Sequence, residues 1–133
     1  MLDYVATLPA FLIYLGAGIG LLIAFMAAYV LLTPQREMAL IRQGNVAASV
    51  VFGSTVLGFA LPLASAVAHS VNLVDLLLWG AIACVAQAIA SLLLRLLIHD
   101  LRAHVEADRV SVAITMASLK LAVGLLNAAA IVY

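Results

Sequence analysis

Four long stretches without a formal charge govern what this chain can become. Thirty-two residues separate Asp3 from Arg36, another 32 separate Arg42 from Asp75, 19 separate Asp75 from Arg95, and the 24 after Arg109 are broken only by Lys120. About 20 apolar residues cross a roughly 30 Å hydrocarbon layer as a helix, so each stretch is a crossing. Leu21 to Leu32 and Ala86 to Leu94 do not alternate between faces as barrel strands of about ten residues would, which leaves helices. With 68% hydrophobic and 9% charged residues in 133, a water-soluble core could not hide the apolar surface. The lipid bilayer is therefore the first partner.

The chain is expected to be all-α, a polytopic membrane protein with one transmembrane domain over residues 1–133. Its helices are placed at about 9–32, 46–67, 76–97 and 109–133. Pro9 suits a first turn and the Thr33-Pro34 pair ends the first span. Gln35 to Gly44 reads as a short polar link, after which Asn45 can cap the second span. Asp75 is favoured over Asn72 as the cap of the third, because it directly precedes the Leu76 to Leu97 run. Ile98 to Asp108 reads as an extension or short interfacial helix with an Arg102–Glu106 pair, and Tyr133 marks the far interface. Met1 to Leu8 has no Lys or Arg, so a cleaved leader is not expected and the first span should be retained.

Orientation follows from the basic residues. Arg36 and Arg42 occupy the first link and Arg95, Arg102 and Arg109 flank the third, while the amino terminus and the middle link have none. The positive-inside rule then puts the links around 33–45 and 98–108 in the cytoplasm and both termini in the periplasm. Six Lys and Arg balance six Asp and Glu, which gives no reason to expect nucleic acid. Cys84, the only cysteine, reads as a small buried side chain.

Residues 64 apart resemble one another: Gly16-Ala17 and Gly80-Ala81, Ala24 and Ala88, Ala39 and Ala103, Ser54 and Ser118. Two halves, about 9–68 and 73–133, would each hold two spans and enter the membrane in the same sense, as parallel repeats. Small residues mark packing or kink positions. Gly16 and Gly20 share a face of the first span, Ser54 and Gly58 share one in the second, and Gly124 lies in the fourth. Pro62 should kink its helix or free the Gly58 carbonyl.

Gly44-Asn45-Val46-Ala47-Ala48, Gly58-Phe59-Ala60-Leu61-Pro62, Asp75 with Trp79-Gly80, Gln87, and Gly124-Leu125-Leu126-Asn127-Ala128 occur in this order. The chain thereby resembles the small bacterial inner-membrane proteins of domain of unknown function 350, also called UPF0719. That resemblance implies an inner-membrane protein of duplicated two-helix units and transfers no activity. The second half departs from the Gly-Asn start, since Asp108-Arg109 aligns with Gly44-Asn45.

Lys120 is the sharpest chemical anomaly. It lies about 16 Å beyond Arg109 by helical rise, near the midplane, where a charged lysine costs roughly 2.5 kcal/mol or more. No Asp or Glu occurs at that depth in the sequence, and the stem is short for snorkelling from the middle. Gly124 and Asn127 share its side of the helix, and Gln87 and Ser91 form a polar pair on the third span. Gln87, Ser91, Lys120 and Asn127 therefore make a candidate intramembrane polar site. Its first reading is structural, a helix contact using Gln87, Asn127 or backbone carbonyls. Its second is a seam that admits an anion or moves a proton.

His99, His104 and Glu106 lack the spacing of a metal site, and no hydrolase triad, Walker loop or dinucleotide fingerprint occurs. Neither an enzyme, a cofactor nor a metal centre is expected. The leading expectation is a structural or accessory inner-membrane module that assembles with itself as a homo-oligomer or with another membrane protein. The alternative is a small transporter, channel or proton-coupled component, and only then is an ion or proton a partner.

Overall fold

The computed structural model describes residues 2–32 and 37–131. Among them are six helices and no strand: α1 (Leu2–Leu32), α2 (Glu37–Arg42), α3 (Val46–His69), α4 (Leu73–Leu97), α5 (Leu101–Glu106) and α6 (Val110–Ala130). Four of them, α1, α3, α4 and α6, are long and apolar enough to cross a membrane. Thr33-Pro34, Arg36 and Tyr133 lie outside the described residues.

Several local boundaries differ from expectation. α1 begins at Leu2, seven residues before Pro9, so this proline sits inside the helix rather than in its first turn. The polar link before α3 contains a helix of its own, α2. Asn72, not Asp75, caps α4: its Oδ1 accepts from Asp75 N at 2.8 Å, and the Asp75 carboxylate reaches back to accept from Val71 N at 3.1 Å. An N-cap side chain satisfies an amide two or three residues ahead, and an acidic residue at that third position suits the positive end of the helix. The short interfacial helix forms as α5, with Arg102 Nε 3.1 Å from Glu106 Oε1.

The spans are stacked so that both short helices lie at one end. There Asn45 Nδ2 donates to the Val105 carbonyl at 2.8 Å, and Ala47 N donates to Asp108 Oδ1 at 2.8 Å. At the opposite end Ser65 Oγ donates to the Ala128 carbonyl at 2.7 Å, and Tyr14 and Ala17 of α1 pack with Ala66, Leu76 and Ile131. The start of α1 and the end of α6 thus share the end away from the two links.

α3 is the hub, packing against α1, α4 and α6. Half of its apolar stretch is buried, against 6% for α1, so α1 lies at the edge with most of its surface turned outward. The α3–α6 crossing is close because it has glycine on both sides. A Cβ on Gly124 would stand 3.0 Å from the Gly58 carbonyl oxygen and 3.2 Å from its Cα. Pro62 is buried in the same helix and brings no N–H to that carbonyl, which lies instead against Gly124. The helix itself runs on through Pro62 to His69. Ser54, from the same strip, is buried and donates to Val51 O at 2.7 Å within its own helix.

Gly16 and Gly20 play no such part. A Cβ at either would meet nothing within 4 Å, whereas one at Gly18 would meet Val67 at 3.3 Å. The Gly16 and Gly20 face therefore looks away from the bundle.

Candidate functional site

Lys120 is fully buried, with 0% of its surface exposed. Its Cα lies ten residues past the start of α6, about 15 Å along the helix. Side chains lean toward their helix N-terminus, which here is the link end, and the ammonium is carried that way toward the last turn of α1. Nζ donates to the Tyr29 hydroxyl at 3.0 Å and to Thr55 Oγ1 at 2.7 Å. Thr55 in turn donates to Val51 O at 3.0 Å, so its hydroxyl both accepts and donates. Hydroxyls from two helices replace the water that the ammonium would otherwise hold.

Tyr29 is the shared acceptor. Arg95 Nε, near the end of α4, donates to the same phenolic oxygen at 3.0 Å. Arg95 Cζ lies 5.6 Å and Lys120 Nζ 5.1 Å from the Tyr29 ring centroid, within range of the cation–π attraction. The ring also meets Phe59 of α3 edge to face, centroids 5.9 Å apart at 71°.

The opposite end of the lysine residue is also engaged. Gln87 is buried and donates from Nε2 to the Lys120 carbonyl at 3.2 Å. Gly58 makes room for this amide, since a Cβ there would be 2.8 Å from Gln87 Nε2. Asn127 is half-buried and donates to Ala83 O at 2.9 Å, with Gln87 Oε1 at 3.5 Å. Gln87 therefore reaches Lys120 through its backbone and not through its ammonium. Ser91 is buried one turn further along α4, and its hydroxyl makes no hydrogen bond to the described residues.

Of the polar residues singled out in the sequence, Gln87, Lys120 and Asn127 come together and Ser91 stays beside them. Tyr29, Thr55 and Arg95 are the members that sequence reasoning missed. Arg95 was counted only as a topological charge, and Thr55 is an ordinary helix-compatible hydroxyl beside Ser54. Tyr29 had one signal, a phenol near the end of an otherwise apolar span. His104 Nδ1 lies 3.1 Å from Arg109 Nη1 and His99 Nε2 lies 3.2 Å from Asp100, both on exposed surface.

Four membrane-length helices joined by a cluster of hydroxyls, amides and two basic groups, buried at Lys120, Thr55 and Gln87 and half-buried at Arg95 and Asn127, define a small polytopic membrane protein. The family model described as Domain of Unknown Function (DUF350) matches residues 3–131, and the chain belongs to this family. It is 35% identical over 123 residues to the UPF0719 inner membrane protein YjfL of Escherichia coli strain K12, covering 92% of this chain and 93% of that protein. The YjfL protein of Escherichia coli O157:H7 matches to the same extent. No solved structure matches.

Proposed function

We propose that this protein is a structural or accessory inner-membrane module, not an enzyme, that assembles with itself or with another envelope protein. The observation that carries the reading is that both polar ends of Lys120 are used in ties between helices. The ammonium joins α6 to α1 and α3, and the carbonyl joins α6 to α4. α1 buries little of its length, so apolar contact constrains its rotation weakly, and a directional bond at Tyr29 supplies what contact area does not. The outward Gly16 and Gly20 leave a shallow strip on which a helix of a second copy or of another protein can lie closely. The arginine-bearing links are cytoplasmic and both termini periplasmic in this reading. It also takes the two halves to be a duplication, given that α2 and α5 have six residues each and start 64 apart.

Stability alone is a poor gauge of the clasp. Burying the lysine costs roughly 2.5 kcal/mol or more, while membrane interhelical hydrogen bonds average about 0.6 kcal/mol and reach about 1.7. Lys120→Met should therefore leave the bundle folded and release α1. Cysteines placed at Ala28 and Ala88 should cross-link readily in the natural background and much less so with Lys120→Met. Gly16→Leu with Gly20→Leu should abolish association measured in lipid nanodiscs. An unassociated natural chain, together with an unchanged cross-link in Lys120→Met, would defeat the proposal.

One observation favours the second reading. Polar contacts run from Asn127 through Gln87 to the Lys120 backbone, and from its ammonium through Tyr29 to Arg95 at the link end. Proton, cation and anion flux in liposomes separates the two. The structural reading expects none, whereas a flux abolished by Lys120→Met with assembly intact would establish a transport component.

A further inference from the structure

α1 is out of step with the other three spans. A Cβ on Gly18 would meet Val67, two residues before the end of α3, and one on Gly80, seven residues after the start of α4, would meet Leu21. Ile131, just past α6, packs with Tyr14 and Ala17. The neighbouring spans therefore stop near Tyr14, while α1 runs on to Leu2, twelve residues and about 18 Å further. α3 alone, at 24 residues, is about 36 Å long and already exceeds a roughly 30 Å hydrocarbon layer. A bilayer matched to α3, α4 and α6 leaves the start of α1 standing among headgroups and water. Yet that start is apolar: Val5 is 67% exposed, Leu8 51%, Phe11 59% and Leu12 56%. Water is a poor solvent for such a surface, so a second apolar surface has to cover it.

The spacing of the exposed residues names the cover. Val5, Leu8, Leu12, Leu15 and Ile19 alternate by three and four residues, the heptad repeat of a helix-pair seam, and each is at least 45% exposed. Val5, Leu12 and Ile19 share one seam position and Leu8 and Leu15 the other, and β-branched residues opposite leucine in this way favour two parallel strands. Pro9 falls outside the seam. Leu15 and Ile19 also wall an open apolar groove of about 320 Å³ whose far side includes Ala60 and Ala64 of α3, so the bundle does not fill the space beside them. A second copy in the same orientation brings the same apolar length at the same height, above the reach of lipid tails.

We infer that two copies in the same orientation pair through this seam, their α1 helices side by side beyond the hydrocarbon. The pairing rests on the self-assembly reading and gives it a partner, a helix and a register. Each seam residue meets its own counterpart, as a twofold axis along the membrane normal requires. Gly16, four residues from Leu12 and three from Ile19, lies beside the seam and lets the two backbones close.

The test places single cysteines at Val5, Leu8 and Leu12, and at Ala6 and Ala10 on the opposite side, in the full chain carrying Cys84→Ala, and oxidises them in the membranes of expressing cells. The three seam positions should give disulfide-linked dimer about fivefold or more above Ala6 and Ala10. Leu8→Ser with Leu12→Ser, at exposed positions past the ends of the other spans, should weaken dimerisation in nanodiscs by about tenfold or more, with helix content by circular dichroism unchanged. Equal yields at all five positions, or no cross-link at the seam in a chain that still dimerises, would overturn the pairing and leave self-assembly standing. So would a dimer indifferent to Leu8→Ser with Leu12→Ser. A chain that never dimerises would overturn both.

Discussion

At the corner after α2, Gly44 takes the left-handed conformation with φ of +84° and Asn45 caps α3 by accepting from Ala48 N. At the corner after α5, 64 residues later, Asp108 takes it with φ of +55°, and Arg109 precedes α6 with no side-chain cap. The backbone bonds correspond: Asn45 N donates to Leu40 O at 2.9 Å, and Arg109 N donates to His104 O at 3.0 Å. The side chains do not correspond. Asp108 crosses to the other corner and accepts from Ala47 N, which a glycine at 44 cannot do in return. Asn45 also crosses, donating to Val105 O. One backbone turn is thus built twice, but both cross-ties serve the start of α3 and the short helix opposite it. The hub helix is pinned at its first turn, whereas α6 is held further along by Gly124 and Lys120.

The sharpest way to break the comparison is at the helix crossing. Gly124→Val would drive methyl groups into the Gly58 backbone and should cost about 3 kcal/mol or more. Its counterpart 64 residues earlier is Ala60, beside an open apolar groove, so Ala60→Val should cost less than about 1 kcal/mol. Unfolding in mixed micelles measures both, and equal losses would mean that the close approach does not set the α3–α6 contact.

A smaller difference belongs to the corners. Asp108→Ala strips the buried Ala47 amide of its acceptor and should cost about 1 to 3 kcal/mol by the same measurement. Gly44→Ala should cost about 1 kcal/mol, through conformational strain alone. If Gly44→Ala proves the more damaging, backbone geometry and not the cross-tie dominates at this end. The smallest effect should be a gain: Arg109→Asn supplies α6 with the missing cap and should stabilise it by about 0.5 to 1 kcal/mol. Amide exchange in the first turn of α6 should slow accordingly, and unchanged exchange would show that Asn at this position fails to cap.

Much of the frame was legible from residue types. The spans follow from uncharged length, and Asn45 from its place before an apolar run. The packing role of Gly58 was visible as a small residue, but its partner Gly124 could be named only once the crossing was known. Lys120 stood out because a charge in hydrocarbon must be compensated. What compensates it was hidden, since Tyr29 and Thr55 are 91 and 65 residues away and neither is unusual in a helix. The exchange of Asp75 for Asn72 as the α4 cap came from a shorter link: the helix starts two residues before Asp75, which places its carboxylate in the first turn.

Composition and the spacing of charges were sufficient for a lipid-embedded all-helical chain of four spans, because the cost of placing charge in hydrocarbon acts residue by residue. They were also sufficient to single out Lys120. The rotation of each helix about its axis is a collective property of packing, and it alone turned Gly16 and Gly20 outward and Gly58 and Gly124 inward. The same rotations brought Tyr29 and Thr55 around one buried ammonium and Arg95 to the Tyr29 hydroxyl, since hydrogen bonds between spans depend on ångström-scale placement that no single segment encodes.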